Sequence, residues 1–550
     1  MRCAEGTPNG LLRTMTALRA SPTNRGSRSC LGCRYNLNAQ MGTNRAIVLR
    51  HATTSATLLA LVVFAGCASL RSTSSNRLDQ SIAQADAAYR NLSADNVAAY
   101  NDAVSSIARQ VDGETPEALR SELEPLGVTL DQPKIKLALA RYHIVPVSRK
   151  PNGSNAIGAP MLLEYDTTNA PLYPRDGLMV SASAVYRRVD GPHLSIVAEK
   201  DRIKVDGSTY SLKIDNVAPI TAMAKRGGHV ARAGLSQMLH PAAMRAKPGI
   251  YLTEPYDPKK IVVLMVPGLQ STPFAFVDLL KAIERDLQLS AHFQVWTFLY
   301  GTGTPVLFNA LELRQDLAET IHTLDPRDHD FATRHIVVLG HSMGGLLAHT
   351  LVSSSGDKLW DALFTVPPKR LQGDPAIIRQ WVEGLHFRRN PRVVRAIFAA
   401  TPHRGSKLAD SWIGRIGASM IRLPTELHND IVDIVSNNRD ATTVAAQALT
   451  RRMNFSAVST LSPDDPPLNA LADLPIGVPF HSIIGKHGPG LLETSSDGVV
   501  AYKSSHLDGA ASELVVHSGH NVCEDRDAQN EIVRILRLEL QREGRHDKVN

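Results

Sequence analysis

The run Gly340-His341-Ser342-Met343-Gly344-Gly345 sets one serine among glycines in the middle of a 550-residue chain. The apolar stretch Ile336-Val337-Val338-Leu339 before it reads as a buried strand, and Leu346-Leu347-Ala348 after it continues a helix. A serine on such a strand-to-helix turn has its hydroxyl lifted clear of the sheet, beside N–H groups at the positive end of a helix. The glycines fit because side chains two residues to either side would collide inside the turn. A serine hydroxyl is a poor nucleophile at neutral pH. Ser342 therefore needs a base within hydrogen-bond reach and a carboxylate to orient that base. It also needs two N–H donors for the oxyanion that forms on attack. Met343, directly after the serine, is one. The segment Pro267-Gly268-Leu269-Gln270 supplies the other, with Leu269 as the donor and Gln270 as its substitute; Gly268 lets the backbone come close to a substrate.

These groups must be held by something rigid. From Lys259 onward the chain alternates short β-branched or aromatic runs with helical patterns. Ile261–Val266, Phe293–Tyr300, His335–Gly340, Val393–Ala400, Phe480–Ile484 and Glu513–His517 read as strands. Val277, Leu280 and Leu287 mark one helix; Leu313, Leu317, Ile321 and Leu324 mark a second; Ile532, Ile535, Leu536 and Leu540 mark a terminal one. Such alternation implies a parallel sheet covered on both faces. Asp497, in Ser495-Ser496-Asp497-Gly498-Val499-Val500, sits on a turn beyond the Phe480–Ile484 strand. His520, in Ser518-Gly519-His520-Asn521, follows the last strand and precedes the terminal helix. Its rivals as the base are His517 and His506; those of Asp497 are Glu493 and Asp508.

Residues 259–543 resemble the α/β-hydrolase superfamily, on its lipase/esterase side. Pro267-Gly268-Leu269 is similar to the His-Gly-x oxyanion segment of lipases, with proline in the histidine's place. Thr401-Pro402-His403-Arg404-Gly405-Ser406 resembles the T-P-H-x-G segment after the sixth strand of lipase-like hydrolases. Asp497-Gly498-Val499-Val500 and Ser505-His506-Leu507 resemble the acid loop of secreted bacterial triacylglycerol lipases. The resemblance implies the order serine, acid, histidine, met here by Ser342, Asp497 and His520. His403 precedes the acid and is read as support for its loop. Those lipases hold calcium partly through an aspartate two residues past the catalytic histidine; Val522 stands there, so no metal is expected, nor any cofactor.

The formal charge of +7 points to no nucleic-acid partner, because residues 1–66, with eight arginines against one glutamate, account for all of it. Arg45 and Arg50 precede an apolar stretch from Ala56 to Ala65, the layout of a secretory leader and too short to span a membrane. Phe64-Ala65-Gly66-Cys67 resembles the bacterial lipobox, in which the cysteine is lipidated, and Ala68 suits transfer to an outer membrane facing the periplasm. On this reading 1–40 is a non-native or disordered extension and Met41 the start. Residues 41–66 are the leader and 67–76 a tether. The C-x-x-C of Cys30 and Cys33 lacks a β-α-β context and is discounted. After Cys67 only Cys523 remains, so no disulfide is available.

Residues 77–245 read as an accessory α+β region. Leu78, Ile82, Ala85 and Tyr89 share a helix face, as do Val97, Tyr100, Val104, Ile107 and Val111 after a cap at Ser93; Thr115-Pro116 opens a third helix. Leu178, Val180, Ala182 and Ala184 alternate as a strand, and Asp206-Gly207-Ser208 turns a hairpin.

The expected fold is α/β: a mostly parallel, doubly wound sheet over 255–545 with helical cap insertions at about 356–390 and 406–475. Trp360, Leu363, Phe364, Trp381, Trp412 and Ile416 are candidates for an acyl pocket, or else core of the cap. The expected function is a serine ester hydrolase acting on lipid-like or other small esters. An acyltransferase, thioesterase or amidase is the alternative, and a non-catalytic envelope binding protein the third reading.

Overall fold

The computed structural model describes residues 77–93, 96–145, 156–198, 202–205, 207–226, 247–269, 273–301, 304–407, 425–451 and 459–544. The leader, tether, Cys30, Cys33, Cys67, Asp206, Gln270, Trp412 and Ile416 lie outside the described residues. The protein is α/β, and its described residues form three sheets.

The first part of the described chain forms two small sheets. β1 (Thr129–Asp131), β2 (Ala138–Ile144), β4 (Ala159–Asp166), β5 (Leu178–Arg188) and β6 (Pro192–Val197) lie in the order β1-β6-β5-β4-β2. All pairs are antiparallel except β1 with β6. β3 (Ala156–Ile157), β7 (Ile203–Val205) and β8 (Ser208–Leu212) make the other sheet, with Val205 paired to Ser208 across the hairpin at Gly207, φ +78°. Helix α1 (Val97–Gln110) buries Val97, Tyr100, Val104 and Ile107 in the core these sheets share. Its N-cap is Asn96, not Ser93; the Asn96 carboxamide oxygen accepts the Ser93 N–H instead. Helix α2 (Pro116–Leu123) starts as expected, the Thr115 hydroxyl accepting the Ala118 N–H at 3.2 Å. The alternation expected along β5 is absent, since Ser181 and Ser183 are buried too. The Ser181 hydroxyl bonds the Asp215 carbonyl and Ser183 abuts Gly158, so the chain covers both faces.

The second part is a seven-stranded sheet: β9 (Gly249–Leu252), β10 (Ile261–Val266), β11 (Phe293–Leu299), β12 (Ile336–His341), β13 (Val393–Ala399), β14 (Phe480–Gly485) and β15 (Ser512–Val516), in the order β15-β14-β13-β12-β10-β11-β9. Every pair is parallel except β9 with β11. β9 begins six residues ahead of the expected start at 255, and it extends the sheet by an antiparallel edge. The alternation of side chains along each strand separates two cores. Val262, Leu264, Val266, Ile336 and Val338 face one layer with α5 (Val306–Leu324), α6 (Met343–Val352), α7 (Lys358–Leu363) and α8 (Pro375–Leu385). Ile261, Val263, Met265, Val337 and Leu339 face α3 (Val277–Arg285), α4 (Leu287–His292) and α12 (Arg526–Arg542). The single helix expected through Val277 and Leu287 is two. Asp286 takes an extended backbone between them, and its carboxylate caps α4 through the Gln288 and Leu289 N–H groups. Between β13 and β14 come α9 (Thr425–Asn437), α10 (Val444–Arg451) and α11 (Pro466–Ala472).

The strand order fixes where a ligand can sit. After β10 the chain moves outward to β11, then returns to place β12 on the other side of β10. Side by side, the C-terminal ends of β10 and β12 open a crevice at this reversal, where open parallel sheets bind ligands. Tyr173 packs against the cores of both parts, and its hydroxyl accepts the Tyr256 N–H at 3.2 Å.

Candidate active site

Ser342 follows β12 with φ +54° and ψ −127°, a left-handed backbone that costs a non-glycine residue about 1–3 kcal/mol. The neighbours that keep it there are glycines for a steric reason. A Cβ on Gly340 would lie 2.4 Å from the Gly345 Cα, one on Gly344 2.2 Å from the Val266 carbonyl oxygen, and one on Gly345 1.9 Å from the Thr401 Oγ1. Strand, turn and helix thus close to a spacing that only hydrogen side chains fit.

The imidazole of His520 stands over this serine, Nε2 to Oγ 2.7 Å, and its Nδ1 is 2.8 Å from Asp497 Oδ2. Asp497 Oδ1 accepts the N–H groups of Val499 (2.8 Å) and Val500 (2.7 Å) in a tight loop that requires Gly498 at φ +93°. The Asp497 side chain is 1% exposed and that of His520 12%. The geometry is that of a proton relay: Ser342 O–H donates to Nε2, and Nδ1–H donates to a carboxylate already held by two amides. Because β12, β14 and β15 run parallel, their following loops emerge at one edge of the sheet, which is how residues 155 and 178 positions from Ser342 meet it.

The rival groups are elsewhere. His506 bonds Glu513 at 2.6 Å, which raises its pKa, and also lies near Asp508, which is exposed. His517 and Glu493 are exposed. His403 is fully buried, packed against Phe398 and His349, and burial holds its pKa well below the usual imidazole range. The segment around it braces the acid loop: the Ser406 hydroxyl donates to the Val499 carbonyl, and the Ser504 hydroxyl accepts from Arg404 N–H and donates to the Gly405 carbonyl. Val522 is buried with a methyl facing Gly485.

Met343 opens α6, so its N–H has no acceptor within the helix. The segment after β10 passes directly over the serine, for a Cβ on Gly268 would lie 2.8 Å from Ser342 Cβ. Leu269 is buried next to it. Tyr300, missed in the sequence, holds that segment by donating its hydroxyl to the Pro267 carbonyl at 2.7 Å.

Six residues beyond Tyr300, the start of α5 borders an apolar hollow walled by Val306, Leu307, Phe308, Leu363, Trp381, Leu385, Pro467, Leu468 and Leu471. None of Ser342, Asp497 and His520 lines it. Its far wall connects to the acid loop: Thr460 lies in the wall, and the adjacent Leu461 accepts from Ser406. Of the expected pocket residues, Leu363 and Trp381 line the hollow. Trp360 and Phe364 are instead packed in the core, the Trp360 indole N–H bonding the Val366 carbonyl.

Asp465 is the carboxyl in that wall. It is 3% exposed, and burial raises its pKa to about 7 against the opposing bond from the Leu468 N–H. A folded-state value above the unfolded one of 3.8 makes folding progressively less favourable as pH climbs from about 4 to 7, and constant beyond. Asp465→Asn keeps the cap acceptor without the charge. It is expected to stabilise the protein by up to about 4 kcal/mol at pH 8 and by almost nothing at pH 3.5. Urea unfolding at the two pH values measures this, and equal midpoints at pH 8 would refute it.

No protein-family model matches the chain, and no curated protein matches it in sequence. Solved structures overlap with part of it. A lipase of Bacillus licheniformis in its propeptide form is 16% identical over 53% of this chain and 54% of its own, at a TM-score of 0.30. An enol-lactonase from Burkholderia xenovorans is 14% identical over 50% of this chain and 91% of its own, at 0.26. A hydrolase from Pseudomonas aeruginosa is 15% identical over 52% and 93%, also at 0.26. The chain spans about half the length of the first of these.

Proposed function

We propose that this protein is a serine ester hydrolase of the α/β-hydrolase type. The observation that carries the proposal is the unbroken relay from Asp497 through His520 to Ser342, closed at 2.8 and 2.7 Å. In the proposed reaction Ser342 Oγ attacks the acyl carbonyl while His520 Nε2 takes its proton, and Asp497 stabilises the imidazolium. The N–H groups of Met343 and Leu269 hold the oxyanion. His520 then protonates the departing alcohol, leaving an acyl-enzyme that water hydrolyses by the same proton route in reverse. The substrates proposed are lipid-like or other small esters.

A fluorophosphonate probe with a chain-length panel of nitrophenyl esters tests this. The wild type is expected to label once per chain and to turn over esters in water alone. Turnover that depends on an added acceptor alcohol would replace hydrolysis by acyl transfer, and absence of labelling would leave only a binding role. The leader reading is part of the proposal: lipidation at Cys67 fixes the enzyme to the periplasmic side of an outer membrane. Mass spectrometry of the membrane-extracted N-terminus checks it, and an unmodified Cys67 would remove the anchor.

A further inference from the structure

We infer that His341 is a positioning residue for this site: by donating its Nε2–H to the main-chain carbonyl of His520 it fixes the base where it can take the proton of Ser342. The inference rests on the hydrolase reading. His341 is the last residue of β12, next in sequence to Ser342, yet its side chain reaches across to the loop after β15. The Nε2 to carbonyl distance is 2.9 Å, and the two imidazole rings lie 5.2 Å apart, inclined at 47°.

A carbonyl oxygen only accepts, so the bond requires the proton on Nε2 of His341. The other nitrogen faces the oxyanion segment, since a Cβ on Gly268 would come within 3.1 Å of Nδ1. One ring therefore touches the nucleophile's strand, the oxyanion segment and the loop of the base. Among the described residues, that loop also makes local main-chain bonds, Ser518 N–H to the Val516 carbonyl and Val522 N–H to the same His520 carbonyl. His341 ties it to the nucleophile's own strand through the carbonyl of the base. The residue is 6% exposed. Burial, then the charge of His520, lower its pKa to about 4, so it stays neutral and does not oppose the imidazolium that catalysis makes beside it.

A buried imidazole that merely fills space would affect stability and leave turnover per folded site alone. A positioning donor affects turnover, because misplacing a reacting group by about 1 Å can cost about 100-fold. Three variants separate these roles. His341→Gln carries an amide N–H out to the reach of Nε2. His341→Asn stops at the reach of Nδ1, and His341→Phe keeps a ring without a donor. Active sites are counted by fluorophosphonate titration, and kcat and KM are measured per titrated site on a nitrophenyl ester. Relative to wild type, the Gln variant is expected within about threefold in kcat, and the Asn and Phe variants lower by about 30-fold or more with KM little changed. Should the Phe variant not fold, Gln against Asn decides alone. Equal kcat in Gln and Asn, or a Phe variant within threefold of wild type, overturns the inference while leaving the hydrolase reading intact. A wild type that the probe fails to label overturns both.

Discussion

Asp497→Asn is expected to lower kcat for ester hydrolysis by about 10³–10⁴-fold although it is isosteric. The reason lies in what holds the carboxylate. Oδ1 accepts two N–H groups, from Val499 and Val500, so an asparagine must point its carbonyl oxygen at them and its NH2 at His520. The imidazole then has to accept at Nδ1 and carry its proton on Nε2, which is the tautomer unable to take a proton from Ser342. His520→Ala and Ser342→Ala should each cost about 10⁴–10⁶-fold, and the double variant no more than the worse single one, since the three act as a unit. Single-turnover acylation by a nitrophenyl ester measures all four. An Asp497→Asn enzyme within tenfold of wild type, or multiplicative losses in the double variant, would dismiss the relay.

Gly344→Ala and Gly345→Ala are both expected to destabilise the fold by about 3 kcal/mol or more, but only one of them can be repaired. At Gly344 the added carbon meets main-chain oxygens, Val266 at 2.2 Å and Pro267 at 2.4 Å, which no side-chain change can move. At Gly345 it meets the side chain of Thr401, Oγ1 at 1.9 Å and Cγ2 at 2.6 Å. That hydroxyl is buried without a hydrogen-bond partner, so deleting it breaks no bond. Thr401→Gly should therefore recover at least half of the stability lost in Gly345→Ala and none of that lost in Gly344→Ala. Urea midpoints of the four variants give the comparison. Equal recovery in both pairs would mean that the crowding is not where the backbone geometry puts it.

Much of this architecture was legible because the signals that carry it are local and strong. The parallel strands are short runs rich in β-branched, aliphatic or aromatic residues, and each starts and ends within a residue of its expected place. The glycine-serine turn declares itself because steric crowding permits so few sequences there. What stayed hidden depends on contacts distant in the chain. β9 is four residues long, and only its pairing with β11 makes it a strand. The break at Asp286 interrupts a continuous apolar pattern, and it is visible only once the carboxylate is seen capping α4. His341 and Tyr300 look like an ordinary motif filler and a core aromatic. Each acts through a carbonyl on another loop, information that composition and periodicity do not hold. Asp465 caps α11 through the Leu468 N–H, but the apolar wall that makes its charge costly comes from α5 and α8.

The relay draws one residue from each of three loops, and 178 positions separate its serine from its histidine. A nascent chain leaving the ribosome can therefore complete the nucleophile's turn long before it possesses a base, and a proteolytic fragment ending anywhere before residue 520 has none at all. On the proposed hydrolase reading, the reactivity of Ser342 is withheld until the last strand has docked, so turnover would serve as a gauge of finished molecules in a mixed population.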